Sequence, residues 1–165
     1  MTDDPVLAAI FSRRVTRAMT DEPVAREDVD IIVRAAGAAP NAGNRRLQPV
    51  VAVTDPAMLR LLRLVSPGMI ARPTAAVVVC IDLARAQDYG FAPDTPGLYI
   101  DVGTAMATML LAAHALGVGA VPVSSFSRAA VGRLLDLPTT TVPRMIVCLG
   151  TPAPTQPAPM AAPLS

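Results

Sequence analysis

Apolar positions along the chain alternate between helical and strand-like spacing, and the changes of period mark the elements. Val6, Leu7, Ile10 and Phe11 fall on one helical face, so a helix is expected from Pro5 to Arg17, with Arg13, Arg14 and Arg17 near its end. Thr20-Asp21-Glu22-Pro23 breaks it. Val29, Ile32, Val33 and Ala36 then recur at i, i+3, i+4 and i+7, predicting a helix from about Arg26 to Ala36 that Gly37 and Pro40 stop. Val50–Val53 reads as a short strand, and Asp55-Pro56 opens a helix carrying Leu59, Leu62 and Leu64. Ala75–Ile81 is continuously apolar, the pattern of a strand in a sheet covered on both faces. A Pro/Gly-rich connection, Gly90–Gly97, precedes the longest helix, Tyr99–Leu116. Ala120–Val123 reads as a strand, Arg128–Leu135 as a helix and Met145–Leu149 as the last buried strand.

This order of helices and strands specifies a layered α/β or α+β domain. One domain, residues 1–150, is expected, followed by an extended tail, residues 151–165, with five prolines and no charge. The long helix carries apolar residues around nearly its whole circumference: Ile100, Val102, Ala105, Met106, Met109, Leu110, Leu111 and Leu116 among them. A helix apolar all round needs cover all round, and a domain this small has little to wrap it with. A second subunit is the expected cover.

Composition narrows the classes. The formal net charge is +1, which gives no long-range field favouring nucleic acid or anionic lipid, and aromatics make up only 3% of the chain. All 14 basic residues are arginine, so anion contacts must come from guanidinium groups, backbone amides or hydroxyls. Val102–Ser127 carries no charge, but Gly117, Gly119, Pro122 and three serines interrupt it. The N-terminus carries Asp3 and Asp4 and lacks a signal-peptide profile. The expectation is a soluble cytoplasmic protein without a membrane span. Cys80 and Cys148, both in apolar strand-like runs, read as buried free thiols.

Candidate chemistry is sparse. Arg13 and Arg17, four apart, would share one side of a helical turn, either as an anion site or as a solvated basic helix end. The loop Gly37–Pro49 carries Arg45 and Arg46 among turn-forming residues; alone it permits either a helix stop or a ligand loop. The single histidine, His114, has no carboxylate within four residues and reads as a packed or interface residue. One histidine and two distant cysteines assemble no metal site. Ser124 and Ser125 lack a base partner, and no residue is assigned as catalytic.

Five segments in order carry a resemblance. They are Arg13–Arg17 followed by Asp21, Pro23 and Val24; Ala39-Pro40-Asn41-Ala42-Gly43-Asn44; "DVGTAMATMLLAAHALGVG" from Asp101; "SSFSRAAVGRLLDLP" from Ser124; and "MIVCLGTP" from Met145. Together they resemble the FMN-dependent nitroreductases, this chain being a compact member. The resemblance implies a nitroreductase-like fold with a central mixed sheet flanked by helices and the long helix at a dimer interface. It also implies a homodimer with shared sites, FMN as cofactor, NAD(P)H as possible electron donor and a small organic substrate. By position, Arg13, Arg14, Val15 and Arg17 would meet the FMN phosphate. Pro40, Asn41, Ala42 and Asn44 would line a flavin ring held by the other subunit. Ser124 and Ser125 would approach the redox-active edge of the ring, or else cap the helix at Arg128. The implied activity is hydride transfer through the flavin. The same fold admits a flavin-dependent dehydrogenase or oxidase, and a flavin-free binding or structural partner.

Three departures bear on this. Val15 replaces the family serine, removing a hydroxyl donor. Nothing after Arg144 is charged, where the family tail supplies a basic residue. Arg46 occupies the position of a family glutamine, and an arginine beside the flavin pyrimidine edge would stabilise the anionic reduced ring. Only residues 82–98 separate the Ala75–Ile81 strand from the long helix, where larger members insert helices, so a comparatively open pocket is expected.

Overall fold

The computed structural model describes residues 4–154. Asp4 caps α1 (Pro5–Ser12) by accepting from the amides of Val6 and Leu7. The chain continues through α2 (Arg26–Ala38), a 3-10 turn (Ala42–Asn44), β1 (Val50–Val53), α3 (Pro56–Leu64), β2 (Ala75–Asp82) and α4 (Leu83–Asp88). It ends with α5 (Pro96–Ala115), β3 (Gly119–Val123), α6 (Arg128–Leu134) and β4 (Thr141–Gly150). Pro56 at the start of α3 and Pro96 at the start of α5 use the one helical position that needs no amide hydrogen.

The layered α+β class is as expected, but the sheet is antiparallel throughout rather than mixed. Its order is β1-β2-β4-β3, and each neighbouring pair is antiparallel. The connections explain this. After β1 the chain crosses α3 and returns to the same end of the sheet, where Val53 faces Ala76. After β3, α6 likewise returns it so that Val123 faces Ile146. Pro122 sits in the edge strand β3, where a missing donor is tolerated. Pro143 lies beside a register shift opposite Val79 and Cys80.

β2 is buried on both faces, as its unbroken apolar run predicts. Ala75, Val77, Val79 and Ile81 pack with α2 and α5 residues such as Ile32, Val102 and Met109. Ala76, Val78 and Cys80 pack on the other side with Leu59 and Leu62 of α3 and Val131 of α6. Each buried Val or Ile contributes about 1.5–3 kcal/mol, so this strand is a major source of hydrophobic stabilisation. Leu64, grouped above with Leu59 and Leu62, is instead 81% exposed.

Other expectations are corrected. α1 stops at Ser12, not Arg17: Arg13 adopts ψ 133°, and residues 13–17 form neither helix nor strand. Tertiary pairing wins over helical spacing here, because the Thr16 amide donates to the Ala120 carbonyl at the sheet edge. Met19 then pairs with Pro152, and the Thr20 amide donates to the Thr151 carbonyl. α4 was not expected; Asp82 caps it by accepting from the Arg85 amide. β4 begins at Thr141, ahead of Met145. The first residues after β4, Thr151–Pro154, lie along residues 18–20. Residues 155–165 of the expected tail fall outside the described residues.

Cys80 and Cys148 are free and buried, and burial pushes both thiols up to about 12. A thiol disulfide reagent at pH 8 is expected to leave both unreacted in the native protein and label both in guanidinium. The sign of the linkage follows: an unfolded thiol ionises near 9 and a folded one near 12. Their contribution to stability is therefore complete below about pH 9 and is lost as pH rises toward 12. A denaturation midpoint that stays level from pH 9 to 11 would contradict this.

Candidate functional site

The loop after α2 is fastened to the N-terminal half of α5 by polar contacts. Asp101, 6% exposed, accepts from the Ala42 amide at both carboxylate oxygens, 3.1 and 3.0 Å. Its Oδ2 also accepts from Gln48 Nε2 at 3.2 Å. Thr104 Oγ1 donates to the Pro40 carbonyl at 2.9 Å. Within the loop, the Arg46 amide donates to Asn41 Oδ1 at 3.0 Å. These contacts hold a backbone that local preference disfavours. Gly43, Asn44 and Arg46 all have left-handed φ, at 60°, 54° and 51°. For Arg46, which has a Cβ, that conformation costs roughly 1–2 kcal/mol.

Asn41, Arg46, Gln48 and Asp101 line one cavity of about 200 Å³ with Pro40, Ala36 and Ala105. The Arg45 guanidinium turns away and stacks over the Tyr89 ring, 4.4 Å from its centroid. Asn44 and Arg46 are exposed; Asn41 and Ala42 are half-buried.

The N-terminal arginines take separate roles. Arg13 and Arg17 do not share a helical face, since the helix has ended before them. Arg14 Nη1 donates to the carbonyls of Phe11 and Arg13, both at 2.9 Å, and so closes the end of α1. Arg13 Nη1 is buried and has no hydrogen-bond partner among the described residues. A buried guanidinium nitrogen without an acceptor is costly, and an anion is its natural complement. Val15 is 37% exposed and offers no hydrogen bond from its side chain. Arg17 is exposed.

This segment lies against β3 and β4 because two glycines make room. A Cβ at Gly119 would stand 2.9 Å from Thr16 Cγ2 and 3.0 Å from the Gly150 carbonyl oxygen. A Cβ at Gly150 would stand 2.7 Å from Met19 Sδ. The end of α1 is tied to the last turns of α5, where Ser12 Oγ lies 2.8 Å from half-buried His114 Nε2.

The arginine segment thus adjoins His114 and the 40–48 loop adjoins Asp101. Along α5 these lie roughly 20 Å apart at about 1.5 Å per residue. A single chain therefore does not bring the two groups of candidate residues together. Ser124 and Ser125 follow β3 and are exposed. Neither caps α6: that role falls to Ser127, whose Oγ accepts from the Ala130 amide. The Ser125 carbonyl accepts from the Gly68 amide instead.

Asp101 was missed as a site residue. A signal existed: it is the only charged residue between Asp94 and Arg128, set in an otherwise apolar helix. Among the described residues no group of histidine, cysteine and acidic side chains could hold a metal.

Comparison with known proteins identifies the family of the chain. The sequence profile of the nitroreductase family matches residues 10–77 and 68–151. A protein of Archaeoglobus fulgidus, provisionally named NADH dehydrogenase/NAD(P)H nitroreductase, is 31% identical over 153 residues, covering 88% of this chain and 84% of its own. The FMN reductase [NAD(P)H] of Bacillus subtilis is 29% identical over 164 residues, covering 90% and 66%. A crystal structure from Parabacteroides distasonis, of a protein with the same provisional name as the archaeal one, superposes with a TM-score of 0.81. It is 28% identical and the match covers 93% of this chain and 90% of that one. The chain belongs to the nitroreductase family and is an oxidoreductase.

Replacing Gly119 by Ala is expected to cost about 1–3 kcal/mol, because the new methyl meets backbone as well as Thr16. Urea denaturation measures it; a midpoint equal to that of the parent protein would show that the segment shifts freely.

Proposed function

We propose that the protein is a homodimeric FMN-dependent oxidoreductase that carries hydride from NAD(P)H to a small organic acceptor. The observation that carries this is Arg13, whose buried Nη1 has no acceptor within the described residues and suits a phosphate. The FMN reductase and NAD(P)H nitroreductase names of the relatives support flavin and nicotinamide use. When bound, FMN supplies two-electron hydride chemistry, and the protein supplies orientation and electrostatics.

The residues divide that work. Arg13 and Arg17 hold the phosphate, with Arg14 keeping the end of α1 closed. Pro40, Asn41, Ala42 and Asn44, set by the Asp101 and Thr104 contacts, border the ring held by the other subunit. Arg46 supplies positive charge near the pyrimidine edge. Ser124 and Ser125, exposed after β3, would offer hydroxyl and amide donors to the flavin.

The dimer reading rests on uncovered apolar surface. α1 has no buried residue, and Val6, Leu7, Ile10 and Phe11 are 64, 41, 46 and 67% exposed. Ile100 on α5 is 64% exposed. Although α5 is long and apolar enough to cross a bilayer, one face packs on β2, β3 and β4 in the core. A second copy covers the remainder and joins the separated halves of the site. A cytoplasmic, small-molecule role without nucleic acid or membrane partners accords with the charge balance and the two free thiols.

Purified protein titrated with FMN is expected to gain a bound-flavin visible spectrum. Arg13→Ala should raise the FMN Kd by about 10- to 100-fold, the range for a lost hydrogen bond to a charged group. Protein that never takes up FMN would favour the flavin-free reading, which Val15 and the uncharged segment after Arg144 support. Anaerobic reduction by NADH or NADPH distinguishes a reductase from a dehydrogenase.

Arg46→Gln is expected to lower the flavin reduction potential, by about 30 mV for each 1.4 kcal/mol of lost two-electron stabilisation. An unchanged potential would remove Arg46 from the ring. Ile10→Glu with Phe11→Glu should turn the dimer into monomer in light scattering and abolish FMN binding in parallel.

A further inference from the structure

We infer that Asp101 is a positioning residue: its buried carboxylate holds the 40–48 loop in the shape that presents Asn41, Asn44 and Arg46 to the site. The link to the site rests on the flavin reading above; the anchoring itself does not.

Burial at 6% exposure makes this carboxylate unusual, for Ser66 is the only other buried polar side chain among the described residues. An ionised carboxyl in the interior needs compensation. Here it comes from the Ala42 amide, shared by both oxygens, and from Gln48 Nε2. Arg46 lines the same cavity but makes no ion pair with Asp101 among the described residues. The acid is therefore spent on the loop rather than on neutralising a cation.

Chemistry explains the choice of side chain. A carboxylate only accepts, so it takes the Ala42 and Gln48 donors together without adding a donor of its own. It grips both ends of the loop, which between them contains the left-handed residues Gly43, Asn44 and Arg46. Position on α5 matters equally. The Asp101 side chain turns inward beside buried Val102 and Ala105, so its anchor is fixed to the rigid core helix rather than to another loop. Without it, Thr104 would hold only the Pro40 end.

Trypsin reads this loop directly, because Arg45 and Arg46 are exposed in it. The full-length protein, Asp101→Asn and Asp101→Ala are digested in parallel and followed by intact mass. Asp101→Ala is expected to be cut after Arg45 or Arg46 about tenfold faster than the parent, with cleavage after Arg133 in α6 unchanged. Asp101→Asn keeps the acceptor for Ala42, and Gln48 can turn its amide to suit, so it should stay within about threefold of the parent. If Asp101→Ala loosens everywhere, cleavage after Arg133 rises too, and the Asn variant then decides: parent-like cutting upholds the anchor. Equal loop cutting in all three proteins overturns it.

FMN is the second probe. Asp101→Ala should weaken FMN binding about tenfold and Asp101→Asn should restore it. Faster loop cutting with unaltered FMN affinity overturns the positioning role. A parent protein that binds no FMN fails the flavin reading itself, while the trypsin rates still uphold or overturn the anchor.

Discussion

Strand β2 offers no polar side to anything around it. Its alternate residues enter two separate cores, one shared with α2 and α5 and the other with α3 and α6. Helices must therefore lie on both faces, and groups able to meet a polar ligand are pushed to the margins of the sheet. Candidate site residues obey this constraint: they lie on the 13–17 segment, the 40–48 loop and the turn after β3. None projects from β2.

Segments at the margins have little apolar surface to hold them, so polar contacts and close backbone approach do the fastening. The 40–48 loop is tied to α5 through Asp101 and Thr104. The segment after α1 is tied through the Thr16 amide to Ala120 and fits over Gly119 and Gly150, where a methyl would collide. Ser12 and His114 join α1 to the far end of α5. α5 thus acts as a spacer with one group of candidate residues at each end, and its length sets their separation.

The sequence showed the core elements well. A continuous apolar run identified β2, helical spacing identified α2, and a long uncharged apolar stretch between turn signals identified α5 to within a few residues of its bounds. Failures came where long-range pairing competed with local pattern. Arg13 and Arg17 looked cofacial because helical spacing persisted in the text of the chain, yet Thr16 is committed to the sheet edge. α4 was hidden in a short connection, since six residues starting from an Asp cap carry too little periodicity to read. Ser127, one residue before α6, took the cap that Ser124 and Ser125 were candidates for. The sheet, expected to be mixed, is antiparallel because α3 and α6 return the chain to the end it left.

Residue order alone determined the layered class, the family and the loop that carries Arg46, because these depend on local composition and on motifs in series. Tertiary structure decided how the arginines differ, since only packing shows Arg14 closing a helix and Arg13 Nη1 buried without an acceptor among the described residues. It also decided the part played by Asp101. A lone carboxylate in an apolar helix announces a need for donors, but those donors lie 59 and 53 residues away in the chain. Folding brings them within hydrogen-bond reach, and no spacing rule along the sequence encodes that meeting.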